Sequence, residues 1–421
     1  MFQFISLLSI AFFMVFCCGC RKNESEETVL RFWHIMNYSG PREVLEDAVA
    51  RFEDSHPDVK VEIETYSNDD YKTKLALEMA SGNEPDVFFN WGAGGQTGQY
   101  IAQGRLADLS SFAADHQWDG RFIKPAMDLC RKDGKLYCAP LDMSVVVLWC
   151  NKALFEKHGV PMPTTWEEFK AACASFSSKG VTPLSLGNYD AWPGAFYFCY
   201  LANRLGGTQL FMDAAAKANG ATFADKTFVR AGEMLQELVK AGVFNKDFAE
   251  RKEDEARKMF VLGRSAMYLG GSWLVGQIAS DPANAEFMKN LVPLAFPKLE
   301  GGKGDTGVML GGVNCGFAVS AKCKNHQLAM ELIDTLTDET TCKAWCAIGR
   351  IPACQTKPEW TSSFPAPTLK AYELLTASTG IQPYYDQYLA AEVTVEHKNT
   401  TRDMFNGRIS PEEAAQKMAA K

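Results

Sequence analysis

The amino-acid sequence predicts an α/β fold with two lobes and a ligand cleft between them. A chain of 421 residues is too long for one ordinary core and suggests two domains. Strand-like and helix-like patterns alternate near its start, as in a parallel α/β lobe. A tryptophan beside glycines follows a strand-like stretch twice, at Trp91 and at Trp273. Ligands of open α/β sheets bind at the carboxyl ends of strands, so both tryptophans are candidates for a binding cleft.

Charge argues against nucleic acid as a partner, and hydropathy argues against a membrane span beyond residue 20. The net charge is −8, and the Lys and Arg residues are scattered, so nucleic acid is not expected as a partner. The hydrophobic fraction of 47% and the charged fraction of 22% are typical of a globular protein. Beyond residue 20 no apolar stretch approaches the length of a membrane span.

The N-terminus has the pattern of an export signal. The apolar run over 4–16 is too short for a transmembrane helix and suits the core of a signal peptide. Gly19 precedes Cys20, which resembles a bacterial lipoprotein signal, although no Lys or Arg precedes the apolar run. We predict a signal peptide over 1–19 and a tether over 20–27, lipidated at Cys20. An ordinary secretory signal is the alternative.

Ten cysteines remain after the signal, from Cys130 to Cys354. An exported protein can use them as disulfides. Cys130 and Cys138 flank a hairpin-like turn and could meet across two strands. Buried free thiols are the alternative for most of the ten. No pair has the CxxC spacing of a zinc or redox site, so we predict no metal site.

The first lobe reads as strand, helix, strand, helix, strand. Val29–His34 is the first strand, and Pro41 suits the first turn of the helix after it. Val59–Glu64 alternates apolar and polar residues, which indicates a strand with one wet face. Asn68–Asp69 can cap the next helix. The apolar Val87–Phe89 is the third strand.

The second lobe has its own ordered signals. Pro140–Leu141 is the predicted first crossing between lobes, and Thr165–Glu168 is a capping box that opens a helix. Tyr189–Tyr200 is an aromatic-rich stretch around a Trp-Pro-Gly turn. Ser265–Leu269 is a short strand before the second glycine–tryptophan segment. Lys298–Gly312 is rich in glycine and predicts a loop between the lobes.

No catalytic signature holds. The chain has no GxSxG, no HExxH and no Walker loop. Gly92-Ala93-Gly94 begins like a dinucleotide fingerprint, but Thr97 stands where the third glycine belongs. Asp305-Thr306-Gly307 occurs once, whereas an aspartic protease needs two carboxylates. A glycosidase takes its carboxylate pair from distant positions, which the sequence cannot nominate. We predict no catalytic residue and no cofactor.

Several stretches in order resemble one known family. The main ones are Pro85-Asp86-Val87-Phe88 with Asn90-Trp91-Gly92, Ala139-Pro140 with Trp149-Cys150-Asn151-Lys152, and Ala266 through Trp273. The supporting ones are Phe32-Trp33-His34, Pro163 through Trp166, and Arg350-Ile351-Pro352. Together they are similar to extracellular solute-binding protein family 1, the sugar-binding lipoproteins of ABC importers, in its multiple-sugar or raffinose-type branch.

The resemblance implies a periplasmic-binding-protein-like fold of type II. The N-terminal lobe would comprise 28–141 and 312–355, and the C-terminal lobe 142–311 and 356–421. The implied function is that of the substrate-binding component of an ABC transporter. It would capture a sugar or oligosaccharide in the cleft and deliver it to a membrane permease, without covalent chemistry.

The resemblance also implies a set of ligand contacts. Trp91 would face the sugar from the first lobe and Trp273 from the second, while Ser144 and Asn314 supply polar contacts from the hinge side. Tyr384, or the tyrosine after it, would fill a late aromatic position. The candidate ligand-binding residues are His34, Asp70, Asn90, Trp91, Ser144, Trp192, Trp273, Asn314 and Tyr384.

Each candidate has a structural alternative. Trp91 and Trp273 could be core residues, although their position between strand ends and glycines favours ligand contact. His34, at a strand end, could satisfy local backbone groups. Trp192, which we add from the aromatic-rich stretch Tyr189–Tyr200, could be a packing residue. Asp70 reads first as a helix-capping residue and second as a ligand contact.

The expected protein is exported, monomeric and attached to the outer side of the cell membrane through its lipid alone. Its expected partners are a carbohydrate ligand and the transmembrane subunits of an ABC permease. One alternative is a binding protein of the same fold for a non-sugar solute, such as a polyamine or a metal chelate. The other alternative is a secreted carbohydrate-active enzyme, which would be revealed by turnover of oligosaccharides.

Overall fold

A computed structural model describes residues 27–421, so the signal peptide and Cys20 lie outside the described residues. The strands are β1 Thr28–His34, β2 Val59–Thr65, β3 Val87–Asn90, β4 Arg131–Lys132, β5 Lys135–Leu136, β6 Ala139–Asn151, β7 Thr182–Leu184, β8 Ser265–Gly271, β9 Leu291–Leu294, β10 Val308–Val319 and β11 Gly380–Gln382. The helices are α1 Pro41–Ser55, α2 Asn68–Ser81, α3 Gly95–Ala102, α4 Ser110–Asp115, α5 Trp118–Arg121, α6 Lys124–Leu129, α7 Lys152–His158, α8 Trp166–Ser178, α9 Trp192–Ala216, α10 Lys226–Lys240, α11 Glu253–Val261, α12 Leu274–Ala279, α13 Ala285–Lys289, α14 His326–Leu336, α15 Glu339–Ala347, α16 Pro358–Thr361, α17 Ala366–Thr376, α18 Tyr385–Tyr388, α19 Ala391–Phe405 and α20 Pro411–Ala419. Within this part of the chain, no helix combines the length and apolarity that a membrane span requires.

One sheet of nine strands runs through the molecule in the order β2-β1-β3-β10-β6-β8-β7, with β11 beside β10 and β9 beside β6. Strand β1 is parallel to β2 and β3, whereas β10 is antiparallel to both β3 and β6. Strands β6 and β10 are 13 and 12 residues long and lie side by side at the middle of the sheet, where β10 also pairs with β3 and β6 also pairs with β8. They are therefore the crossing strands, and the α/β prediction is confirmed.

Buried apolar side chains form separate cores on the two sides of the crossing strands. One cluster includes Trp345 and covers the β1–β3 end of the sheet, which we call the first lobe. A second cluster around Leu235 and a third around Trp149 cover the two faces of the other end, the second lobe. Strand β6 contributes Met143 to the first cluster and Val146 to the second. The residue bounds of the lobes remain a prediction.

Local sequence signals predict the starts of α1 and α8 correctly and miss the N-cap of α2 by one residue. Pro41 opens α1, and Thr165 caps α8 within a capping box, as predicted. Helix α2 differs, because its N-cap is Ser67, whose hydroxyl accepts a hydrogen bond from the Asp70 backbone N–H at 3.4 Å. Asn68–Asp69, the predicted cap, already lies in the first turn. A serine one residue earlier offers the same acceptor, so pattern alone could not choose between them.

The predicted loop over 298–312 is wrong at its end. Strand β10 begins at Val308 and includes Gly311, which pairs with Val145 of β6. A Cβ atom at Gly311 would lie 2.5 Å from the Ser144 carbonyl oxygen. Glycine in this segment therefore permits close approach of two strands, whereas the sequence pattern had indicated a turn.

Candidate functional site

Trp91 lies at the carboxyl end of β3, on the surface of the first-lobe core. It is partly exposed, and its ring packs edge-on against Phe89 at 4.8 Å and Tyr71 at 6.1 Å between centroids. The Tyr71 hydroxyl donates to the Phe89 carbonyl at 2.6 Å, which holds the supporting ring in place. The Lys72 ammonium lies 4.7 Å from the Trp91 ring centroid, where cation–π attraction is effective.

Four rings of the second lobe form what we call the aromatic cluster, namely Trp192, Phe196, Trp273 and Tyr384. Trp273 lies 6.3 Å from Trp192 and 6.2 Å from Phe196, and Phe196 lies 5.6 Å from Tyr384. A Cβ atom at Gly271 would collide with the Trp273 ring, so glycine is needed for this ring position. Both tryptophans are partly exposed, and Trp192 Nε1 has no hydrogen-bond partner.

Tyr384 links the aromatic cluster to the crossing strand β6. Its hydroxyl donates to the Ser144 carbonyl on β6 and accepts from the Ser144 hydroxyl, each at 3.2 Å. Burial raises the pKa of Tyr384 well above its usual value, so the hydroxyl keeps its proton. Ser144 is itself buried, and the pair therefore ties the late segment of the chain to the crossing strand.

A cavity of about 770 Å³ opens between the lobes beside the crossing strands. Trp91 and Gly94 line it from the first lobe, Tyr384 and Gln387 from the second, and Gly312 from β10. Its lining does not include the tryptophans of the aromatic cluster, which connects to it through Tyr384. The volume lies in the range of small-molecule sites.

Charged side chains from the two lobes affect each other's pKa. They are Asp69 and Lys72 on α2, and Asp190, Lys252, Asp386 and Lys398 of the second lobe, which we call the charge cluster. Burial raises the pKa of Asp190, and the charge of Asp69 raises it further. Burial lowers the pKa of Lys398, and Lys72 lowers it further.

Sequence reasoning missed most of the charge cluster. Only Asp69 had been noted, together with Asp70, first as a helix-capping residue and second as a ligand contact. Asp190 has one local signal, its position two residues before Trp192 in the aromatic stretch. Lys72 and Lys398 have none, since each follows an ordinary helical pattern. Their meeting depends on how the two lobes face each other.

His34 and Asn90 lie deeper than the tryptophans. His34 is fully buried, its Nδ1 accepts from the Met36 backbone N–H at 3.1 Å, and its Nε2 has no partner. Asn90 Oδ1 accepts from the Cys138 thiol at 2.7 Å and from the Gly92 N–H at 3.3 Å, while Nδ2 has no partner. Each residue therefore combines a structural contact with one buried polar atom left free.

Two other candidates, Asp70 and Asn314, do not line the cavity. Asp70 is exposed, and its carboxylate accepts from the Ser67 hydroxyl at 2.6 Å, as expected of a first-turn residue. Asn314 is partly buried, stands in a register irregularity of β10 between Val313 and Cys315, and hydrogen-bonds to Asp142. Asn314 therefore lies on the crossing strand β10, beside β6.

A buried ion pair holds the start of the crossing strand β6. The Asp142 carboxylate accepts from the Arg350 guanidinium at 2.5 and 2.8 Å and from Trp345 Nε1 at 3.0 Å. Arg350 also donates to the Tyr38 hydroxyl at 2.8 Å. Burial is the largest single influence on the pKa of Arg350 and lowers it, but the charge of Asp142, its hydrogen bond, and the nearby Tyr38 and Cys315 together raise that pKa above its usual range. The predicted Arg-Ile-Pro segment thus anchors the first crossing strand.

Two buried histidines predict how stability depends on pH. Burial lowers the pKa of His34 and of His397 to about 3, whereas both titrate near 6.5 when unfolded. Between these values the unfolded chain binds more protons, so stability falls as the pH falls. From pH 7 to pH 5 we expect each histidine to remove about 2 kcal/mol from the free energy of unfolding.

Urea titrations of the wild type and of His397→Gln at both pH values measure this effect. The variant should lose less stability on acidification than the wild type, because glutamine does not titrate. Equal losses for the two proteins would contradict the assignment.

Apolar cores on both sides of the crossing strands, with aromatic rings on both sides of an interlobe cavity, define the class of two-lobed α/β binding proteins. The model for the family described as bacterial extracellular solute-binding protein matches residues 38–341. The chain belongs to that family. Among the described residues no cluster of His, Cys, Asp and Glu suitable for a metal ion occurs.

The chain is similar to several known proteins. The chain is 21% identical to the melibiose/raffinose/stachyose-binding protein MelE of Bacillus subtilis, over 99% of this chain and 94% of that protein. It is 28% identical to the ABC transporter extracellular-binding protein PH1039 of Pyrococcus horikoshii, over 59% of this chain but only 56% of that protein. A structure from work on xylan utilization by Caldanaerobius polysaccharolyticus superposes with a TM-score of 0.87 at 30% identity, covering 93% of this chain and 99% of that one. This similarity confirms the two-lobed fold.

Proposed function

We propose that the protein is the substrate-binding component of an ABC importer and that its solute is a sugar or oligosaccharide. The observation that carries the proposal is the presence of partly exposed aromatic faces in both lobes. Trp91 supplies one in the first lobe, and Trp192 and Trp273 supply the others. Sugar rings have apolar C–H faces that pack on such rings. MelE is named for binding melibiose, raffinose and stachyose, and the similar structure comes from work on xylan utilization.

The charge cluster favours an uncharged ligand over a polyamine. It contains three carboxylates and three ammonium groups, so their formal charges cancel. A polycation would require an excess of acidic groups, whereas sugar hydroxyls can hydrogen-bond to carboxylates and to lysines alike. This balance supports a neutral saccharide.

Unpartnered buried polar atoms support hydroxyl recognition. His34 Nε2, Asn90 Nδ2 and Trp192 Nε1 each lack a hydrogen-bond partner. Buried polar groups are normally paired, so three unpaired atoms are available to ligand hydroxyls. His34, Asn90 and Trp192 themselves do not line the cavity. We propose that they contact the sugar, with Asp70, Ser144, Asn314 and Tyr384 at the margins of the site.

The remaining elements of the proposal concern transport. Hinge closure about β6 and β10 would remove water from both lobes and present a closed form to the permease. Cys20 would carry the lipid that holds the monomer on the outer side of the membrane. The protein would bind its ligand without turning it over.

A thermal-shift screen tests the proposed solute. Neutral mono- and oligosaccharides form one panel, with polyamines and amino acids as the comparison panel. We expect an oligosaccharide at 100 times its Kd to stabilise the protein by about 2.7 kcal/mol. Stabilisation by polyamines alone would overturn the choice of solute, and chromatographic detection of oligosaccharide turnover would overturn the binding role.

A further inference from the structure

The two lobes meet backbone to backbone beside the interlobe cavity. The first-lobe turn Gly94–Gly95 opens α3, and the second-lobe helix α18 lies against it. A Cβ atom on Gly94 would collide with the Gln387 carbonyl oxygen, and one on Gly95 would lie 2.7 Å from the Asp386 carbonyl oxygen. We call the meeting of Gly94–Gly95 with Asp386–Gln387 the interlobe glycine contact. Gly94, Gly95 and Gln387 also line the cavity, so its two walls touch here.

Each partner in this contact is fixed in its own lobe. Ala93, which precedes the turn, donates its backbone N–H to the Leu129 carbonyl at 2.8 Å, and Tyr100 of α3 is buried in the first-lobe core. On the other side, Tyr385 of α18 stacks on Phe211 at 3.9 Å within the second-lobe core. Because close-packed interiors yield little, a side chain at the contact would be accommodated by separating the lobes.

No disulfide fixes the lobes at this separation within residues 27–421. The ten cysteines from Cys130 to Cys354 are all buried and all free. Free thiols were one of the two possibilities that the sequence left open. The distance between the cavity walls therefore depends on non-covalent packing such as the interlobe glycine contact.

The backbone conformation of Gly94 does not itself require glycine. Its φ of −97° and ψ of −168° are extended, and other residues adopt them freely. Gly95 differs, because its φ is +52°. Gly94 is also the N-cap of α3 and makes no side-chain cap, although serine at an N-cap ordinarily favours a helix. The nearness of the second lobe is therefore what excludes a side chain at residue 94.

We propose that Gly94 is a positioning residue of the binding cleft, which sets the separation of the cavity walls by carrying no side chain. This role rests on the proposed binding function, because wall separation decides how large a solute both lobes can touch at once. Any side chain at residue 94 would move α18 away from α3 and widen the cavity. The solute would then lose contacts with one wall, and its affinity would fall.

Replacing Gly94 with serine tests the wall separation without any solute. Serine suits an N-cap and an extended backbone, so each lobe should keep its fold, which circular dichroism checks. We expect the radius of gyration from small-angle X-ray scattering to rise, and backbone hydrogen exchange in α3 and α18 to become faster. Scattering and exchange equal to those of the wild type would overturn the proposal.

Gly120→Ser is the matched control. Gly120 lies in α5 of the first lobe, and an added Cβ atom there would meet no atom within 4 Å. This variant should match the wild type in scattering and in hydrogen exchange. The same changes in both variants would show that serine acts locally, which would overturn the interlobe assignment.

Titration with raffinose and stachyose, two of the sugars for which MelE is named, tests the consequence for binding. If Gly94→Ser leaves about one molecule in ten with both walls in reach, its affinity should fall about tenfold, whereas Gly120→Ser should bind as the wild type does. An unchanged affinity alongside altered scattering would overturn the link between wall separation and binding. If the wild type binds neither sugar, the proposed solute loses support, while scattering and exchange still decide the wall separation.

Discussion

Replacing Arg350 with methionine is expected to lower the free energy of unfolding by about 3–5 kcal/mol. The guanidinium and the Asp142 carboxylate are both almost fully buried, with side-chain exposures of 2% and 1%. Methionine leaves Asp142 as a buried charge whose remaining partners are neutral donors. Removing one member of a buried pair costs far more than the pair contributes, because the other charge stays desolvated. Urea unfolding at pH 7 measures the change.

A surface arginine provides the matched control. Arg230 also forms two ion pairs, with Glu233 and Glu237, but these side chains are 43–51% exposed. Arg230→Met should change stability by less than about 1 kcal/mol, since solvent screens exposed pairs. Equal losses in the two variants would show that the Asp142–Arg350 pair does not hold the hinge.

Replacing Trp273 with alanine is expected to weaken carbohydrate binding by roughly 30-fold, or about 2 kcal/mol. The ring is partly exposed, and three neighbouring rings hold its cluster together. Its removal would leave an apolar sugar face without its packing partner. Isothermal titration with the saccharide found by thermal shift measures the loss.

The control for this variant is an exposed apolar residue of the same lobe. Leu262 is 61% exposed and belongs to none of the three cores, so Leu262→Ala should bind with the affinity of the wild type. An unchanged affinity of the Trp273 variant would remove the aromatic cluster from the site, even if the solute is a carbohydrate. Circular dichroism of both variants checks that the fold is retained.

Local signals carried much of the fold prediction. Val59–Glu64 alternates strictly because one face of β2 is buried, and Pro41 opens α1 because the first turn needs no N–H donor there. Thr165 was recognisable because its capping box is complete within four residues. Each of these elements is specified by side chains that are neighbours in sequence.

Features that depend on distant partners were not predictable in this way. The start of β10 at Val308 was hidden because Gly311 reads as a turn, whereas its real cause is the closeness of β6. The buried Asp142–Arg350 pair joins positions more than 200 residues apart. Ordinary helical charges such as Lys398 acquire their role only when the two lobes face each other.

For the candidate site too, local sequence predicted some features and tertiary packing determined others. Trp91 and Trp273 could be nominated because each combines a strand end with adjacent glycines, and the structure leaves both partly exposed. Asn90 and His34 share the strand-end position, but burial gives each of them a structural contact as well. Sequence position therefore nominated these four residues, and packing decided how deeply each of them is buried.

The irregular register of β10 has a mechanical consequence for the whole molecule. Regular hydrogen-bonded ladders resist bending, and the ladder between β10 and β6 is interrupted only between Val313 and Gly316. Elastic compliance should therefore be concentrated in this short segment, with stiffer ribbon on both sides. Opening and closing would then follow one reproducible arc, and the two halves would return to the same alignment after each release of cargo.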